Sequence, residues 1–200
     1  MIITLANAKG GVGKTTSAIY LATVAKHSDP SLQVTLIDAD PQQSASDWDK
    51  TAKENRSTLE FDVENMSREK DVARILELVN LRSSLYVIDT QPGDTALTRA
   101  SIHVADLVVI PCEAEPMSVR RAWKMFDLCQ GKGAFLITKA RPRTNLFKVV
   151  MNQLVSGHAE FFTSTIKDSM EYAKAFGCRP RNTSEYSSVW IEIKEAMGWR

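Results

Sequence analysis

No apolar run in this sequence approaches the roughly twenty residues that a membrane-spanning helix needs. Cysteine is scarce. Cys112, Cys129 and Cys178 stand far apart, in no metal or redox spacing, and three thiols cannot all pair, so a reducing compartment is expected. Glycine and proline are few, 9 and 7 in 200 residues; with 8% aromatics this excludes a collagen-like, low-complexity or disordered chain. An excess of one charge is missing as well. Lys and Arg number 25 against 24 Asp and Glu, so the chain as a whole is neither a basic nucleic-acid coat nor an acidic tail protein. Met1-Ile2-Ile3-Thr4-Leu5 has no basic leader before an apolar stretch, so no secretory signal is read and the expected location is cytoplasmic. His27, His103 and His158 lack ligand partners at useful spacing and read as structural or surface residues.

What is present is 44% hydrophobic residues, enough for a single domain over residues 1–200. Short runs rich in Val, Ile, Leu or Phe mark strands at Ile2–Asn7, Gln33–Asp38, Thr58–Val63, Leu85–Asp89, Asp106–Pro111 and Gly133–Thr138, read as buried parallel strands. Between them lie helical patterns at Thr15–His27, Gln42–Asn55, Glu69–Leu81, Thr95–Val104 and Val119–Cys129. The less regular tail carries helices at Asn145–Val155, Asp168–Phe176 and Ser188–Met197. Strand–helix alternation predicts an α/β fold, a mostly parallel sheet flanked by helices on both faces.

The first strand runs into Ala8-Lys9-Gly10-Gly11-Val12-Gly13-Lys14-Thr15-Thr16, and a helix follows. This is the context of a phosphate-binding loop. Glycines let consecutive N–H groups turn towards phosphate oxygens, and the helix N-terminus adds partial positive charge. Gly10, Gly11, Val12, Gly13, Lys14, Thr15 and Thr16 are therefore the nucleotide-binding candidates. Lys14 can reach the β- and γ-phosphates of ATP, and the Thr15 hydroxyl can ligate Mg²⁺.

Carboxylates follow at two strand ends. Leu36-Ile37-Asp38-Ala39-Asp40-Pro41 places Asp38 and Asp40 at the carboxyl end of the second strand, where open α/β sheets hold ligands, with Pro41 suited to the first turn of the next helix. Leu85-Tyr86-Val87-Ile88-Asp89 ends the fourth, and Asp89 suits Mg²⁺ binding, usually through water. Asp94 reads as a helix cap. Cys112 reads as a packing residue, since no His is near it in sequence.

Lys9-Gly10-Gly11-Val12-Gly13-Lys14-Thr15-Thr16 resembles the deviant Walker A motif of ParA/MinD-type ATPases, whose signature lysine stands ahead of two glycines. Ordered motifs carry the resemblance from about Met1 to Thr144. It implies a P-loop NTPase fold and ATP hydrolysis with Mg²⁺. It implies that Lys9 reaches the nucleotide of a facing protomer, that Asp40 positions the attacking water and that Asp38 holds a water of the Mg²⁺ shell. Thr138 and Lys139 lie where the family places its adenine pocket. Thr90-Gln91-Pro92-Gly93-Asp94 is similar to the family's switch II, with Gln91 in place of the first of two prolines. With no room for a helix-turn-helix domain ahead of the first strand, the chain resembles most the small plasmid-partition subtype. That resemblance implies an ATP-bound homodimer, a centromere-binding ParB-type partner and nucleoid association.

Charge is unevenly spread. Residues 139–181 hold eight Lys and Arg against Glu160, Asp168 and Glu171. In a partition-type ATPase such a stretch fits a sequence-nonspecific DNA surface, with Arg141, Arg143, Lys148 and Lys167 as candidates. The alternatives are a MinD-like membrane-cycling ATPase, a metabolic or carrier enzyme of the same superfamily, and an ATPase that positions another cargo. The MinD-like reading requires a basic amphipathic last helix. The segment 189–200 carries as many acids as bases, reads instead as a packed helix, and no membrane partner is expected.

Overall fold

The computed structural model describes residues 1–80 and 84–199. Six strands form one sheet in the order β3-β2-β4-β1-β5-β6, every neighbouring pair parallel. The strands are β1 (Ile2–Leu5), β2 (Val34–Ala39), β3 (Asp62–Asn65), β4 (Leu85–Thr90), β5 (Leu107–Glu113) and β6 (Gly133–Thr138). The helices are α1 (Lys14–Ser28), α2 (Ser44–Glu54), α3 (Val72–Glu77), α4 (Ala96–Val104), α5 (Pro116–Leu128), α6 (Asn145–Ser156), α7 (Met170–Lys174) and α8 (Ser184–Met197).

Successive strand residues point to opposite faces, so the apolar runs fill two layers at once. Leu36, Leu85, Val87 and Val109 face α1, α2 and α8. Ile37 and Ile88 face α3 and α4, while Val108, Ile110, Phe135 and Ile137 face α5 and α6. β1 lies between β4 and β5; the chain runs from β1 to β2 and β3 on one side and crosses from β4 to β5 and β6 on the other, a reversal that opens a crevice above the carboxyl end of β1. The candidate phosphate and metal residues gather at this end, in the β1–α1 loop, the first turn of α1 and the last residues of β2 and β4.

Several expectations need correction. The third strand is Asp62–Asn65, not Thr58–Val63, and it is a largely exposed edge strand. One open edge tolerates polar residues, while Leu59 and Phe61 pack on the core from outside the strand. The helix expected over Glu69–Leu81 is broken into a 3₁₀ turn at Glu69–Asp71, α3, and a second 3₁₀ turn at Leu78–Asn80; Leu81 lies outside the described residues. Pro41 is not in the first turn of α2. It belongs to a turn closed by Gln43 N–H donating to Asp40 O at 2.8 Å, and Gln43 takes a left-handed φ of 55° before the helix begins. Asp94 does not cap α4. Thr95 accepts from Thr98 N–H, and Asp94 pairs with Arg99 instead. Pro116 starts α5 three residues earlier than expected, as its fixed φ permits at a first helical position.

Beyond β6, the segment after α6 runs alongside the sheet edge. Phe162 N–H donates to Phe135 O and Ile166 N–H to Ile137 O, each at 2.9 Å. Ala140 and Lys167 form a further parallel bridge. No apolar periodicity announces this stretch, yet it carries Lys167 and Asp168 to the crevice.

Candidate functional site

The loop between β1 and α1 is held from below. The buried Asn7 side chain donates to Pro111 O at 2.7 Å and accepts from Lys9 N–H at 3.0 Å, tying the loop to β5. Gly11 and Gly13 have φ of 74° and 90°, conformations that a β-carbon makes costly. Gly13 caps α1, whose N–H groups open into the crevice.

Lys14 is buried, and its ammonium reaches back to Lys9 O at 3.3 Å. Burial lowers its pKa, opposed by the charges of Asp89 and Asp40. The Thr15 hydroxyl donates to Asp89 Oδ2 at 2.6 Å. Asp89 is fully buried, and its Oδ1 has no hydrogen-bond partner among the described residues. Burial pushes its carboxyl up to about 7, against the Thr15 hydrogen bond and with help from the neighbouring Asp38. Parallel pairing sets Asp38 and Asp89 opposite each other on β2 and β4. An oxygen left unpaired at zero exposure is costly. Beside a hydroxyl and a second carboxylate, it fits a hard divalent cation bound by few protein oxygens and completed by water and phosphate. Thr15, Asp89 and Asp38 are the residues that would hold magnesium.

Asp38 accepts from Asp40 N–H at 3.2 Å through Oδ1, and from Ser46 N–H and Oγ at 2.8 and 2.7 Å through Oδ2. Burial raises its pKa, partly offset by these hydrogen bonds. It thus fixes the turn that carries Asp40 against α2. Asp40 Oδ1 accepts from Gln42 N–H at 2.9 Å.

Lys9 does not project freely from the loop. Its ammonium pairs with Glu113 Oε2 at the end of β5, and Lys139 pairs with Glu113 Oε1 at 2.6 Å. Burial alone would raise the Glu113 pKa, but the two lysines outweigh it and hold the carboxyl below its ordinary value. Nothing in the sequence pattern singled out Glu113.

Thr138 Oγ1 donates to Val12 O at 2.9 Å, and Lys139 Nζ to Gly11 O at 3.1 Å, so both line the phosphate loop. Beside them opens a cleft of about 320 Å³, bounded by Gly13, Thr16, Thr138, Asp168, Tyr172 and Tyr186. Tyr172 and Tyr186 stack edge-on, 5.9 Å between centroids, and Ser17 Oγ lies 3.0 Å from the Tyr186 hydroxyl. Two tyrosines in the weakly patterned tail gave no local signal of this role.

The basic candidates divide. Arg141 pairs with Asp168, and Lys167 with Glu185 at 3.1 Å. Arg143 and Lys148, around the start of α6, are exposed and have no carboxylate partner among the described residues. Cys112 and Cys129 are buried, with thiols pushed up to about 12 by burial, which suits packing. Among the described residues no helix is long and apolar enough to cross a membrane, and no group of three His, Cys, Asp or Glu could form a metal cage.

An all-parallel six-stranded sheet with a glycine-rich strand-to-helix loop, a buried lysine and a hydroxyl–carboxylate pair defines a P-loop nucleotide-binding domain. Residues 3–177 match the CobQ/CobB/MinD/ParA nucleotide binding domain, and the chain belongs to that family. It is 35% identical over 119 residues to maintenance of carboxysome distribution protein A of Gloeobacter kilaueensis, covering 59% of this chain and 51% of that protein. It is 27% identical over 165 residues to the chromosome partitioning protein ParA of Caulobacter vibrioides, covering 80% and 54%. The chain thus spans about half the length of these curated relatives. A putative plasmid partition protein from Borrelia burgdorferi, solved with AMPPNP, superposes with a TM-score of 0.75 at 21% identity over 97% of this chain and 98% of that one. A McdA–ATP complex from Cyanothece gives 0.77 at 17% identity over 100% and 97%.

The state of Asp89 has a measurable consequence. A carboxyl whose pKa is raised from its unfolded value of about 4 to about 7 costs the folded protein stability progressively as pH rises through that window, and fully above it. Asp89→Asn removes the charge and keeps the Thr15 acceptor. Its nucleotide-free melting temperature should exceed the parent's at pH 8 by about 2–6 °C, and the gain should fall to about a third of that at pH 5. An equal gain at both pH values would show that ionisation of Asp89 is not its source.

Proposed function

We propose that this chain is a ParA-like partition ATPase, which binds MgATP, pairs across its nucleotides, binds DNA nonspecifically and hydrolyses ATP when a ParB-type centromere-binding partner stimulates it. The reading is carried by the buried Lys14–Thr15–Asp89 constellation, with Asp89 Oδ1 left unpartnered where a cation belongs. Magnesium, when bound, supplies positive charge to the phosphate oxygens. Lys14 and the amides of Gly10 to Thr16 hold the β- and γ-phosphates, and the tyrosine-lined cleft takes base and ribose. Asp40 orients the water. Lys9 completes the site of the facing protomer, much as an arginine finger does.

A second cargo is favoured by one observation, the likeness to a carboxysome distribution protein. Cargo is chosen by the partner, and the same cycle of pairing and DNA binding serves either. A MinD-like membrane cycle fits less well. α8 packs on α1 and buries Tyr186, Val189, Trp190 and Ile193, so its main apolar stripe is already covered and only Ile191 and Met197 stand exposed among its large apolar residues.

Light scattering with MgATP and with MgADP tests the pairing: a dimer with ATP alone supports it, and a monomer with both rejects it. For DNA, Arg143 and Lys148 carry the binding, because Arg141 and Lys167 are already paired. Arg143→Ala/Lys148→Ala should weaken binding to unrelated duplexes equally and reduce the salt slope by about 2 per protomer. Arg141→Ala/Lys167→Ala should have less effect. A loss confined to one duplex sequence would contradict this assignment.

A further inference from the structure

Glu113 stands at the end of β5 with its side chain 15% exposed and one lysine on each oxygen. Lys139 is set in this place by a left-handed φ of 47° and by its second bond, to Gly11 O at 3.1 Å. Lys9 is secured twice to the end of β5, through its ammonium to Glu113 and through its N–H to Asn7, which itself holds Pro111 O. The lysine best placed to reach a facing nucleotide is therefore bound within its own subunit.

The three-group arrangement makes this contact reversible. A buried carboxylate that loses its only cation is left uncompensated at considerable cost. Glu113 keeps Lys139 when Lys9 departs, so departure costs only a partly exposed ion pair, a small amount that a triphosphate can overcome. The carboxylate and the facing triphosphate compete for one ammonium on a flexible stem.

We propose that Glu113 is a latch in cis: it retains Lys9 in the unpaired protomer and yields it to the triphosphate of a facing protomer, so setting the threshold for pairing. This rests on the reading that Lys9 acts across a dimer. The latch makes encounters without nucleotide unproductive, because Lys9 then has no stronger anion to move to. It is a positioning role; Glu113 itself touches no phosphate.

The test is the dimer dissociation constant, measured by sedimentation with Mg²⁺ and a non-hydrolysable ATP analogue. Glu113→Gln, which keeps the shape and removes the charge, should pair at about tenfold lower protein concentration than the parent. Glu113→Asp, charged on a shorter stem, should fall between them and serves if the first variant folds poorly. Lys9→Ala should not pair, and Lys9→Ala/Glu113→Gln should behave as Lys9→Ala. A Glu113→Gln protein that pairs no more tightly than a pairing parent overturns the latch and leaves the dimer reading intact. A double variant that pairs as well as Glu113→Gln overturns it too, because the gain then bypasses Lys9. A parent that stays monomeric with the analogue overturns the dimer reading, and the latch with it.

Discussion

Lys14→Ala is expected to lower ATP turnover by at least about a thousandfold and to remove measurable MgATP binding. The lysine is buried beside Asp89 and Asp40, so the site without it holds carboxylates facing a triphosphate and no protein cation among them. Lys9 does not fill its place: its ammonium stands at the loop mouth beside Glu113, whereas Lys14 lies with Asp89 and Asp40. The fold should survive. Burial already disfavours the charged form of Lys14, and the helix it begins is fixed by Gly13 and by the packing of Ile19, Leu21 and Val24. Titration calorimetry with MgATP, beside circular dichroism, separates the two effects. Retained affinity and turnover in a folded Lys14→Ala protein would remove this loop from the nucleotide site. Thr15→Ala is the milder companion. It takes away one candidate metal ligand and the donor to Asp89, so the loss should fall mainly on the magnesium-dependent part of binding.

The phosphate loop was legible because its chemistry is local. Glycines at 11 and 13, a lysine at 14 and a hydroxyl at 15 lie within five residues where a strand gives way to a helix, and the structure keeps that order. The strand-end carboxylates were legible for a related reason: apolar runs that end in Asp are short, and β2 and β4 turned out to be neighbours in register. What stayed hidden depends on contacts between distant segments. Glu113 meets Lys9 across 104 positions and Lys139 across 26, so no window contains the cluster. The loss of Arg141 and Lys167 to Asp168 and Glu185 is hidden likewise, because counting charges along the chain cannot show which are neutralised. The edge strand was misplaced because Leu59 and Phe61 carry the apolar signal, while pairing with β2 begins at Asp62. Asn7 carries no motif; its role follows from being the buried polar group where β1 meets β5.

Asp40→Asn is expected to bind MgATP and pair like the parent, yet to turn ATP over about a hundred- to thousandfold more slowly. Asp40 does two separable things. Through Oδ1 it accepts from Gln42 N–H, which helps close the turn leading to the left-handed Gln43 and α2. Its charge lies close enough to Lys14 and Asp89 to shift both, which places it beside the phosphate end of the site. Asn retains the turn, since its amide oxygen accepts as a carboxylate does, and loses the charge that would orient a water and stabilise its developing proton. Ala loses both. If only the turn mattered, Asn would be active and Ala inactive; if the charge matters, both are slow, and only Ala also loses stability. A cap-like hydrogen bond of this kind contributes about 1 kcal/mol, so the Ala variant should melt about 2–4 °C lower than the Asn variant. Single-turnover hydrolysis and melting curves for the two proteins decide between these roles. Full turnover by Asp40→Asn would move the water-orienting role to another carboxylate. Asp38 is then the nearest, and its three hydrogen bonds to Asp40 and Ser46 make it the less free of the two to move with a reacting water.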